Sequence, residues 1–294
     1  MNKARRNKLF ADYKQDAQNW ITMANGDFYP DILPDACELY KPVLVMFGQF
    51  LKSSESSERL LEQITELKQA WMRVQLCRVF RKYVYPQTPV EMLKKKSMIP
   101  MVCKEYGKYF RTIDRVQAAF QSRPLPDEAL CALLWEYKDR GKKGYDLTER
   151  FFTMFENTFP HLKIDGPIRA GSDVQLQTVF NDYPNPTRPV DFVIKNTAGD
   201  VLAIGLARYD GDRGGAQEDD RTGGYSNCAK EILGYTKKHH LSTKVIFLND
   251  GPGLLLGSMW DDYSKLEKID SEHIMVMTLR MFRERLTEEW LNSK

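Results

Sequence analysis

A chain of 294 residues with 42% hydrophobic and 28% charged content can bury one large core or two modest ones, which argues against global disorder. No apolar run approaches the ~20 residues a membrane-spanning helix needs, and the basic start, Met1 to Lys8, leads into a polar stretch and not a signal-peptide apolar core. The expectation is a cytoplasmic protein of prokaryotic type with no membrane partner, and a formal net charge of +3 is too small to argue for nucleic acid by itself.

Residues 1–140 read as mainly helical. Ser56–Cys77 carries Leu60, Leu61, Ile64, Leu67, Trp71 and Val74 at helical spacing, behind serines and glutamates suited to an N-terminus. Pro86 and Pro89 break the chain, a further helix is expected over 105–121, and Pro124 to Asp127 caps another over about 127–139. Residues 73–123 hold twelve Lys/Arg against Glu91, Glu105 and Asp114, interleaved with Phe80, Tyr83, Tyr85, Tyr106, Tyr109 and Phe110. Such a surface suits a phosphate backbone, with Arg78, Arg81, Lys82, Lys94, Lys95 and Lys96 as candidate DNA contacts, and a solvated helical face is the plainer alternative.

Arg140 to Gly144 is short, basic and glycine-bearing, and marks the expected boundary between a helical region (1–140) and a second region (141–294). From there the pattern becomes mixed. Leu147–Phe159 reads as an amphipathic helix whose Phe151, Phe152 and Phe155 belong to a core. Residues 189–195 and 201–208 read as strands joined by the Asn196–Asp200 turn, and a helix follows within 216–239, with a break expected at Gly223-Gly224. Lys244–Asn249 is a third strand closed by Asp250-Gly-Pro-Gly253, 273–278 a fourth, and 279–292 a terminal helix. The fold class expected is α+β, a mixed central sheet flanked by helices with a helical N-terminal region. The cysteines (Cys37, Cys77, Cys103, Cys131 and Cys228) are odd in number, widely spaced and without a CxxC pair, so buried free thiols are expected.

A helix bearing Glu149, a strand opening Pro189-Val-Asp191, a hairpin, a second strand, a helix and a further strand follow one another over residues 144–260. This ordered set resembles the catalytic core of PD-(D/E)xK nucleases, and more narrowly the type II restriction endonucleases. The resemblance implies Mg²⁺-dependent, sequence-specific cutting of double-stranded DNA in a restriction-modification setting, by a homodimer matched to a palindromic site. Hard carboxylate oxygens suit Mg²⁺, which activates water and offsets charge on the phosphate. Asp191 fits the first acid, and Glu149 matches a helix glutamate that contacts the metal in several members.

The second half of the motif departs from the family. Gly205 and Ala207 stand where an acid and a lysine are expected. Strand alternation would leave the face carrying Val201, Ala203, Gly205, Ala207 and Tyr209 nearly bare, with Arg208 opposite. The expected solution is a relocated acid on the following helix, which some restriction enzymes resemble. Glu218 is the candidate, with Asp219 or Asp220 as alternatives and an ordinary exposed first turn as the plain reading. The missing cation is expected from Arg221, or else from Arg208, Arg213 or Lys230; Lys195 lies roughly 13 Å from Asp191 along the strand. Arg213 could also follow a DNA backbone. Two other functions remain open: a catalytically silent DNA-binding protein with the nuclease fold, and a structure-specific repair nuclease.

Overall fold

The computed structural model describes residues 8–138, 142–168, 171–211 and 217–293, without the side chains of 142–143 and 217–222. Internal contacts divide the chain into two units, one over 26–138 and the other combining 8–25 with 142–293.

The first unit is built of helices: α1 (Leu33–Ser53), α2 (Ser57–Glu66), α3 (Ala70–Tyr83), α4 (Val90–Leu93), α5 (Ile99–Tyr106), α6 (Ile113–Gln121) and α7 (Glu128–Lys138). Tyr40, Val43, Leu44, Phe47 and Leu51 recur at helical spacing on α1 and are buried, and α2, α3, α6 and α7 all pack on that helix. The single helix expected over Ser56–Cys77 is two. Its chain turns at Leu67, whose backbone is extended and whose carbonyl accepts from Arg73 Nη1 at 2.5 Å. The break lets Leu60, Leu61 and Ile64 on one side and Leu76, Val79 and Phe80 on the other enter one core, which a straight rod could not do. The helix expected over 105–121 is likewise divided into α5 and α6. Ser56 caps α2 by accepting from Arg59 N, and Asp127 Oδ1 accepts from Leu130 N ahead of α7.

The second unit runs α8 (Lys142–Thr158), β1 (Lys163–Asp165), β2 (Val174–Gln175), β3 (Pro189–Val190), β4 (Phe192–Lys195), β5 (Val201–Tyr209), α9 (Gln217–Lys238), β6 (Lys244–Asp250), α10 (Met259–Glu267), β7 (Ile274–Met277), α11 (Phe282–Arg285) and α12 (Glu288–Asn292). Five strands form one mixed sheet in the order β1-β4-β5-β6-β7, antiparallel across β1–β4 and β4–β5, parallel across β5–β6 and β6–β7. The fold is α+β. α9 is continuous through Gly223 and Gly224, and the terminal helix expected over 279–292 is three short pieces.

Two faces of the sheet follow from the register. Phe192 pairs with Gly205 and Ile194 with Ala203, and Phe192 meets Phe151 and Phe152, so this face looks onto α8. Leu206, Arg208, Phe247 and Asn249 lie on the other face, where the Tyr225 ring of α9 meets Phe247.

Residues 8–25, assigned from sequence to the helical region, pack with the sheet instead. Phe10 stacks on Trp260 at 4.3 Å and its carbonyl accepts from the indole N–H at 3.1 Å. The buried Asp250 carboxylate accepts from the amides of Thr22 (2.6 Å), Gly251 (2.7 Å) and Leu279 (3.0 Å), tying this segment to the ends of β6 and β7. The five cysteines are free thiols, of which Cys77, Cys131 and Cys228 are buried. Among the described residues no helix is long and apolar enough to cross a membrane.

Candidate functional site

Asp191 is the single residue between β3 and β4. Its amide donates to Gly205 O at 3.0 Å, and its Oδ2 accepts from the Ala207 amide at 2.7 Å, so the carboxylate is held against β5 by backbone alone. Gly166 backs it: a Cβ there would stand 2.3 Å from Asp191 O, so only glycine permits this approach. Burial pushes the Asp191 carboxyl above its ordinary range, the Ala207 amide pulls it down, and the negative charge of Asp173 pushes it further up.

Sequence reasoning did not single out Asp173. Val174 pairs with Val190 across β2 and β3, so Asp173 and Asp191 are the next residues beyond that pair, and the charge of Asp173 is felt at Asp191. A two-residue strand with no alternation to announce it left no signal for this pairing.

The motif position Gly205 is closed by packing, and Arg208 is already paired. A Cβ on Gly205 would lie 1.9 Å from the Phe192 ring, so the ring itself covers that backbone. The small-residue patch is therefore filled from β4, where sequence reasoning expected side chains from α9 to reach in. Arg208 lies in register with Asn249 on the α9 face, and its Nε donates to the buried Asp210 at 2.5 Å. Asp210 also accepts from Tyr263 at 3.4 Å. Tyr225 joins this group: burial pushes its phenol up to about 12, Arg208 pulls it down, and Asp191 and Asp210 push it up. Arg208 and Asp191 thus both act on Tyr225 although strand alternation assigned them to opposite faces. Both side-chain polar atoms of the fully buried Asn249 lack a hydrogen-bond partner among the described residues.

Glu149 lies on α8, one turn before Phe152, and lines a hollow of about 640 Å³ with Asp146, Arg150, Tyr209 and the backbone segment Thr22 to Asn25. Asp191 does not line it, so this hollow does not unite the two acids. Tyr209 fixes its far wall, accepting from Ala24 N at 2.6 Å and donating to Thr22 O at 3.3 Å. Lys195 is paired with Asp165 at 3.0 Å, and Lys230 is exposed on α9. Arg213 and the side chains of Glu218, Asp219, Asp220 and Arg221 lie outside the described residues.

In the helical unit Lys82, Lys94, Lys95 and Lys96 are exposed. Arg78 is half-buried, donates to Gln75 at 3.0 Å and lies over the Tyr137 ring, and Arg81 donates to Pro86 O at 2.9 Å. Tyr85 is stacked against Tyr106 and Tyr109, and Lys108 lies over the Tyr109 ring. Charged ends and aromatic faces are therefore interleaved here.

No protein family, curated protein or solved structure matches the chain. Among the described residues no three His, Cys, Asp or Glu side chains gather as a metal site. Asp173 and Asp191 are the next residues beyond the last pair of β2 and β3, and carboxylate oxygens are the hard donors that magnesium takes beside water and phosphate oxygens.

Proposed function

We propose that the chain is a magnesium-dependent endonuclease that cuts double-stranded DNA at a specific sequence, of the type II restriction class with a PD-(D/E)xK-like core. The observation that carries this reading is Asp191, a desolvated carboxylate fixed by the Ala207 amide at the opening of the second strand of an αβββαβ run. Desolvation raises the energy of that charge, and a bound cation is the most direct way to offset it.

Asp191 and Asp173 would hold the metal, with Glu218 as the third donor on α9. Magnesium, when bound, supplies a Lewis acid that acidifies water and offsets charge on the scissile phosphate. The chain's own part is to fix the Asp191 oxygens through the backbone, with Arg221 steadying charge on the phosphate. The exposed lysines of the helical unit serve as backbone contacts, and cutting both strands calls for a homodimer. Incubating the protein with phage DNA and Mg²⁺ tests the reading. Discrete fragments that vanish in EDTA support it, and uncut DNA under every divalent ion sinks it.

A second reading has its own support. The Phe192 ring over Gly205 and the engagement of Arg208 by Asp210 favour a silent protein that binds a DNA sequence without cutting it. A metal-independent, sequence-specific gel shift without cleavage would select that reading.

A further inference from the structure

A second hollow of about 370 Å³ adjoins the one lined by Glu149 and shares Thr22, Met23, Arg150 and Met154 with it. Three arginines line it from three elements: Arg150 of α8, Arg280 from the turn after β7, and Arg283 of α11. Its remaining wall is Leu279. All three arginines are exposed. Arg280 donates to the Asn19 carbonyl at 2.8 Å, and neither Arg150 nor Arg283 has a hydrogen bond or ion pair among the described residues. Among the described residues no carboxylate lines this hollow, and the acids Asp146 and Glu149 line the adjoining one. The buried Asp250 anchor and the Tyr209 bonds position its Thr22–Met23 wall, so the gathering belongs to the fold.

We propose that Arg150, Arg280 and Arg283 form a phosphate-binding site in this hollow. Guanidinium forks match phosphate oxygens and donate to them in charge-assisted pairs. A phosphodiester of DNA and a free phosphate share this chemistry. The DNA case deepens the endonuclease reading by giving the second unit a backbone contact, and rests on that reading only for the identity of the phosphate's carrier.

The test uses the full chain, a fluorescent 30-base-pair duplex, and titrations over a range of KCl concentrations without magnesium. Arg150→Ala/Arg283→Ala leaves Arg280 on Asn19, and a thermal melt checks its fold. With a DNA phosphate in the site, the slope of log affinity against log salt falls by about 1, at roughly 0.9 per phosphate contact, and Arg150→Lys/Arg283→Lys restores the slope. With free phosphate as the ligand, the DNA slope is unchanged, while calorimetry with inorganic phosphate shows saturable binding to the wild type that the alanine pair abolishes. Identical DNA slopes in wild type and alanine pair, with no phosphate binding to the wild type, overturn the site. Absence of cleavage in magnesium with the slope loss intact removes the endonuclease reading and leaves the site standing.

Discussion

The Phe192 ring lies across Gly205 on the neighbouring strand, where an added Cβ would come within 1.9 Å of a ring carbon. The pair joins β4 to β5 on the face that α8 covers, and Phe151 and Phe152 close around the same ring. A motif acid at position 205 is thus excluded by packing. On the proposed reading, the second acid comes from another element.

This gives a first prediction. Gly205→Ala forces the ring or the strand aside and is expected to destabilise the second unit by about 1–3 kcal/mol, the usual range for overpacking. Gly205→Glu should fail to fold, and pairing it with Phe192→Ala should recover part of the loss. Chemical denaturation of the four proteins measures this, and a neutral Gly205→Ala would contradict the packing account.

Asp250 holds the N-terminal segment. Its carboxylate takes three backbone amides, and burial still pushes its carboxyl above the ordinary range. Asp250→Ala leaves those amides without acceptors at about 1–3 kcal/mol each, so several kcal/mol should be lost. Asp250→Asn, which keeps one acceptor oxygen, should fall between. Limited proteolysis should release residues before Thr22 in the alanine variant first.

A third prediction concerns pH. The folded-state pKa of Asp191 is raised, so the folded protein holds this proton more tightly than the unfolded chain. The stability this contributes is complete below the unfolded value of about 3.9 and is lost as pH rises through the folded value. Asp191→Asn keeps an oxygen to accept from Ala207 and carries no charge. Without metal, it should therefore be the more stable protein above that window, with the difference closing toward acid. Urea melts across pH 3–8 test this, and a difference that does not move with pH would count against it.

Much of the sheet was legible because burial writes itself as pattern. The apolar runs 189–195, 201–208 and 244–249 and the Asn196–Asp200 turn all stand near their expected places, since strand alternation and turn chemistry are local. Long-range choices were not legible. Residues 8–25 joined the second unit through the pairs Phe10–Trp260 and Thr22–Asp250, whose members lie 250 and 228 residues apart in sequence. Asp191 was recognisable by its place after Pro189. Asp173 and Tyr225 were not, because β2 is only two residues long and Tyr225 is one tyrosine among fourteen. Gly205 was visible as a departure, and its cause, the ring of Phe192, needed the register.

The measurement that bears most directly on the central claim is the single-turnover cleavage rate of a duplex carrying the recognised sequence, in magnesium, for wild type and Asp191→Asn. If Asp191 holds the catalytic cation, the variant should bind the duplex and cut it slower by on the order of a thousandfold, since several kcal/mol of charge stabilisation are removed. A variant that is folded and cuts at the wild-type rate would contradict the account.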